Sequence, residues 1–101
     1  MLDAARDGDT VTVRLRGDLD HGAADALRSE IDGWIADRTV RNLILDLKDL
    51  QFMDSSGVGF VIGRYKQLAR RGGTVRVIHA DKRMDRIFQM SGLYEIVKST
   101  R

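Results

Sequence analysis

Few residues in this chain could do chemistry. Two adjacent serines stand in Met53-Asp54-Ser55-Ser56-Gly57, and an acid and an imidazole, Asp20-His21, stand in Gly17-Asp18-Leu19-Asp20-His21-Gly22. A nucleophilic serine needs a base and an oxyanion hole. His21 is the histidine expected near the serines, since His79 ends another strand, and the elbow pattern G-x-S-x-G is absent. Neither a Walker A loop nor G-x-G-x-x-G occurs; Gly57-Val58-Gly59 falls inside a helix. The chain has no cysteine, which removes disulfides, thiolate metal sites and thiol nucleophiles. Asp46 and Asp49 lack a second acidic pair at metal-site spacing. No catalytic residue, metal site or cofactor is expected. Two readings of Ser55 remain. It is a helix N-cap whose hydroxyl accepts a backbone N–H, or it accepts a phosphate, which the dipole and free amides of a helix start tolerate.

The serines must be positioned by the elements around them. Leu43, Ile44, Leu45 and Leu47 form an apolar run, read as a strand buried on both faces, and Lys48 to Met53 read as its connection to a helix. Val58, Val61, Ile62, Tyr65, Leu68 and Ala69 give that helix its apolar stripe, and Gly72-Gly73 ends it. Upstream, Leu2 to Arg6 is a strand candidate, Asp7-Gly8-Asp9 a hairpin turn, and Val11, Val13 and Leu15 alternate with polar residues in a second strand ending near Gly17. Asp18 to Gly22 is a loop. Ala23, Ala24, Leu27, Ile31, Trp34 and Ile35 form the stripe of a first helix. Downstream come a strand at Val75 to Ile78, a helix capped by Asp81, and a last short strand at Tyr94, Ile96 and Val97. The order β-β-α-β-α-β-α-β predicts a single α/β domain over residues 1–101. Its mixed sheet is mostly parallel, with an antiparallel N-terminal hairpin. Loops after consecutive parallel strands are neighbours, so Asp20 and His21 should stand near Ser55 and Ser56.

On a helical wheel Ser56, Gly59 and Gly63 fall on one line away from the apolar stripe, flanked by Phe60 and Gln67. Glycine inside a helix costs about 1 kcal/mol relative to alanine. Either another element packs closely there, or the bare backbone is a docking surface with Phe60 as its apolar anchor.

Composition adds limits. The chain's 101 residues suit one core, and a net charge of +2 is too small to argue for nucleic acid by itself, so no direct nucleic-acid contact is expected. Arg64, Lys66, Arg70, Arg71, Arg76, Lys82, Arg83 and Arg86 read as solvated helix faces, without interleaved aromatics to stack bases. No apolar run is long enough to span a membrane, and the N-terminus carries no signal-peptide pattern; a cytoplasmic protein is expected.

Phe52-Met53-Asp54-Ser55-Ser56-Gly57-Val58-Gly59, continued by Ile62-Gly63-Arg64-Tyr65-Lys66-Gln67, resembles the anti-sigma factor antagonists, which are STAS domains, most closely the sporulation type. Gly17-Asp18-Leu19-Asp20-His21 resembles the loop after that family's second strand, and Phe88-Gln89-Met90-Ser91-Gly92-Leu93 its late helix end. The resemblance implies a switch without catalysis. An anti-sigma factor that is also a serine kinase binds the unphosphorylated antagonist and frees a sigma factor for transcription. It then phosphorylates the serine after the aspartate, here Ser55, which ends binding, and a metal-dependent serine phosphatase restores the protein. Asp20 matches a loop acid that contacts the kinase. Together with the wheel, this marks Asp20, His21, Asp54, Ser56, Gly57, Gly59, Phe60 and Gly63 as partner-binding positions. The alternative is a STAS scaffold or transporter-associated module that phosphate does not switch. One departure is noted: family members usually continue into a C-terminal helix, whereas only Lys98 to Arg101 follow the expected last strand.

Overall fold

The computed structural model describes residues 2–100. Strands β1 (Leu2–Asp7) and β2 (Thr10–Leu19) form the expected antiparallel hairpin, turning through Gly8 at a φ of +62°. Helix α1 (His21–Ile35), strand β3 (Asn42–Met53), helix α2 (Ser56–Ala69), strand β4 (Thr74–Ile78) and helix α3 (Lys82–Met90) follow. A 3₁₀ turn at Leu93–Glu95 leads to strand β5 (Lys98–Thr100). The strands lie in the order β1-β2-β3-β4-β5, with β2 to β5 mutually parallel, so element order and sheet are those expected.

Neighbouring parallel strands joined by right-handed crossovers carry their helices on one face of the sheet. Val11, Val13, Leu15, Leu43, Leu45, Leu47, Val75 and Val77 point to that face and are buried. They meet Leu27, Ile31 and Ile35 of α1, Phe60, Val61 and Leu68 of α2, and Met84 and Phe88 of α3. The reading of β3 as buried on both faces is therefore corrected: it alternates, and Ile44 is only half-buried. Trp34 is also corrected. It stands 38% exposed beside the stripe formed by Leu27, Ile31 and Ile35.

The second half of β3 departs from the connection expected over Lys48 to Met53. Arg14 pairs with Asp46, Arg16 with Asp49 and Asp18 with Phe52, so β3 takes in an extra residue at two places. Such bulges break the period of two and space its later buried residues as Leu47, Leu50 and Met53. Lys48 to Met53 is thus strand, and β2 runs past Gly17, whose φ of +81° sits between the shifts, to Leu19. The last strand lies later than expected because Gly92, at a φ of +79°, starts the 3₁₀ turn that holds Tyr94.

On the opposite face of the sheet Asp46 is 5% exposed. Burial alone would raise its pKa. Bonds from His79 Nδ1 at 2.9 Å and the Lys48 amide at 3.0 Å, with Arg14 Nε at 3.5 Å, outweigh this and hold the carboxyl below its usual range. Asp46 is thus a buried, hydrogen-bonded carboxylate that ties β3 to His79 and β2. His79 itself takes a φ of +61°, which histidine tolerates better than most residues. A depressed folded pKa gives stability that is present above the unfolded value of about 3.9 and lost as pH falls below it. The urea midpoint should therefore drop between pH 5 and pH 3, and Asp46→Asn should flatten part of that slope. At pH 7 Asp46→Ala should cost about 2 kcal/mol, as for loss of a charged hydrogen-bond partner. A slope unchanged in Asp46→Asn would show that other carboxylates carry it.

Candidate functional site

The parallel pairing of β2 and β3 continues to its last residues, Leu19 opposite Met53, and the Asp54 amide reaches the Leu19 carbonyl at 3.4 Å. Both strands thus deliver their helices side by side, Asp20 next to Asp54 along one edge. The expected adjacency of the two loops follows from this register. Asp20 is the N-cap of α1, its carboxylate accepting from the Ala23 amide at 2.9 Å, and His21 is the exposed first residue of that helix.

At the start of α2 the capping is done by Asp54, not by Ser55. Asp54 Oδ1 accepts from the Ser56 amide at 2.8 Å, while Ser55 has helical dihedrals and makes no side-chain cap bond. The N-cap reading of the Ser55 hydroxyl is therefore corrected. Ser55 is exposed, with Ser56 half-buried beside it. Among the described residues neither serine hydrogen-bonds a histidine, and no cluster of acidic, histidine or cysteine side chains is arranged to hold a metal ion. The edge on which Asp20 and Asp54 cap their helices also presents the exposed Ser55 hydroxyl.

The glycines of α2 divide sharply. A Cβ on Gly59 or Gly63 would meet nothing within 4 Å, so close packing against another element of the domain is excluded as the reason for them. A Cβ on Gly57 would come within 2.5 Å of Met53 Cγ and Sδ, which makes Gly57 a packing residue rather than part of the exposed face. Phe60 is likewise corrected: it is 5% exposed and belongs to the core. The buried face of α2 is Gly57, Phe60, Val61, Arg64 and Leu68, turned from the sequence reading because α2 packs on α1 as well as on the sheet. Arg64 lies 5.6 Å from the Phe60 ring centroid and 2.9 Å from Asp32 of α1, and Gln67 donates to the same Asp32 oxygen at 3.0 Å. Arg64 is 4% exposed, and its Nη1 is buried without an acceptor among the described residues. Sequence reasoning missed it because arginine on a helix normally marks a solvated face; the i, i+4 spacing of Phe60 and Arg64 was the available signal.

The fold and its relatives agree. The STAS domain family matches residues 1–101. The anti-sigma F factor antagonist of Paenibacillus polymyxa is 44% identical over 85 residues, 84% of this chain and 73% of that protein. The solved anti-sigma factor antagonist SpoIIAA in its unphosphorylated form superposes with a TM-score of 0.86 at 32% identity, covering 100% of this chain and 89% of that one. The Bacillus cell fate determinant SpoIIAA in the phosphorylated form gives 0.79 at 33%, covering 100% and 92%.

The two kinds of glycine separate experimentally. Gly57→Ala should cost about 1–3 kcal/mol in urea unfolding through overpacking against Met53. Gly59→Ala should gain about 0.5–1 kcal/mol from helix propensity. Equal effects at the two positions would contradict this division. With its sheet order, its Asp-Ser-Ser-Gly helix start and these relatives, the chain belongs to the STAS domain family, among the anti-sigma factor antagonists.

Proposed function

We propose that the unphosphorylated protein binds an anti-sigma factor that is also a serine kinase, and so frees a sigma factor. Phosphorylation of Ser55 ends that binding and a serine phosphatase restores it. The observation that carries this reading is the exposed Ser55 hydroxyl, relieved of capping by Asp54 and set at the head of the bare Gly59–Gly63 face. In the transfer, Ser55 Oγ bonds to the γ-phosphorus of ATP as the bond to ADP breaks, and the hydroxyl proton leaves to a base of the kinase. The protein supplies the acceptor and the docking surface and is not itself an enzyme.

The docking surface is composed of Asp20, His21, Asp54, Ser56, Gly59 and Gly63. Gly57 and Phe60 shape it from below. Phosphate adds about −1.5 to −2 charge beside Asp54 and Asp20. Leaving such a charge unpaired in an interface costs on the order of 2–5 kcal/mol, which weakens binding by roughly 30-fold or more. Remodelling is not required, and the likeness of this fold to relatives solved in both forms supports local blocking.

Ser55→Ala should keep the fold and bind the kinase partner in a pull-down, but ATP should no longer release it. Phosphate arriving on Ser55→Ala at the normal rate would move the acceptor elsewhere. Gly59→Arg should weaken partner binding at least roughly tenfold, about 1.4 kcal/mol, with circular dichroism unchanged. Unaltered affinity in that variant would take the α2 face out of the interface.

A further inference from the structure

Phosphate on Ser55 meets an edge that is already negative. Asp18, Asp20 and Asp54 stand along it. The first amides of α2 are also engaged: Ser56 on Asp54 Oδ1 at 2.8 Å, Gly57 on the Asp54 carbonyl at 3.0 Å, and Val58 on the Ser55 carbonyl at 3.1 Å. The helix start therefore offers the phosphate its dipole but few free donors.

Among the cations of α3, Arg83 reaches the strand before Ser55. It sits in the first turn of α3, whose start is fixed by Asp81 accepting from the Met84 amide at 2.8 Å. Its guanidinium lies 5.1 Å from the centroid of the Phe52 ring. Phe52 precedes Ser55 by three residues, a chain span of at most about 11 Å. Arg83 is exposed and pairs with no carboxylate among the described residues. A guanidinium over a ring is steered by the ring while its N–H donors remain free. Their fork matches phosphate oxygens. Lys82 and Arg86 are exposed on the same helix, with Asp81 before them. Arg83 is the one whose guanidinium lies over a ring of the strand that leads to Ser55.

We propose that Arg83 is the resident counter-charge of phosphorylated Ser55, moving from the Phe52 ring to the phosphate and holding it as a dianion across the docking edge. This rests on Ser55 being the acceptor. Phosphorylation then changes the face twice, adding the phosphate and withdrawing a cation from Phe52. The nearby carboxylates raise the second pKa of the phosphate, and Arg83 lowers it.

The test uses the full chain carrying phosphoserine at position 55, installed during translation so that no kinase is needed. The second phosphate pKa, about 6 in a free phosphoserine, is followed by ³¹P NMR. In the wild type it should lie about 0.3 or more below that of Arg83→Gln, with Arg83→Lys recovering part of the difference. Lys66→Gln, at the far end of α2, should titrate like the wild type. The Arg83 Nε–H resonance should move on phosphorylation. Equal pKa values in wild type and Arg83→Gln, a matching change in Lys66→Gln, or an unmoved Arg83 resonance would each overturn the proposal and leave the switch at Ser55 standing. The switch itself falls on different results: no phosphate transfer to the wild type by its partner kinase, or undiminished binding of the phosphorylated form.

Discussion

The site depends on one constraint, the parallel pairing of β2 and β3 held to the last residues of both strands. β4 leaves β3 at Asp46, but β2 stays with it to Met53. The two strands thus project as a ribbon beyond the rest of the sheet, and α1 and α2 start side by side at its tip. Two bulges in β3 make this possible by adding residues that let its buried side chains keep facing the helices while the ribbon twists. Without that register Asp20 and Asp54 would cap helices at unrelated places.

Helix α2 then serves two surfaces at once. Its inner side is a packed wall in which Gly57 lets Met53 approach and Phe60 is buried in the core with Arg64 over its ring. Its outer side is bare at Gly59 and Gly63. Glycine has opposite meanings on the two sides: closeness to the chain's own side chains in one case, and absence of any side chain toward solvent in the other. The outer glycines cost helix stability, which the inner contacts of Val61 and Leu68 offset. The buried Arg64 ties α2 to α1 through Asp32, fixing the two helices relative to one another.

Charge is distributed with the same division of labour. Asp20 and Asp54 cap neighbouring helices at the tip of the ribbon, so carboxylates line that edge as a consequence of folding. Those carboxylates make any added negative charge electrostatically costly there. The same capping by Asp54 frees Ser55 from any structural duty, so modifying the hydroxyl breaks no bond of the fold.

The sequence by itself determined the element order, the hairpin, the neighbouring of the two loops, and Ser55 at a helix start. Each depends on local patterns: alternation, helical spacing, turn residues and the crossover rule. Tertiary structure alone decided what depends on a second element. The bulges hid the end of β3 because a bulge is defined by its partner strand. A helical wheel places Phe60 outward because it counts polarity around one axis and cannot know that α1 stands beside it. Asp46 with His79, and Asp32 with Arg64, pair residues more than 30 positions apart, whose meeting only the packed fold creates. Whether Ser55 or Asp54 caps α2 was settled by backbone dihedrals, since both residue types suit the position and only the folded turn decides which side chain reaches the amide.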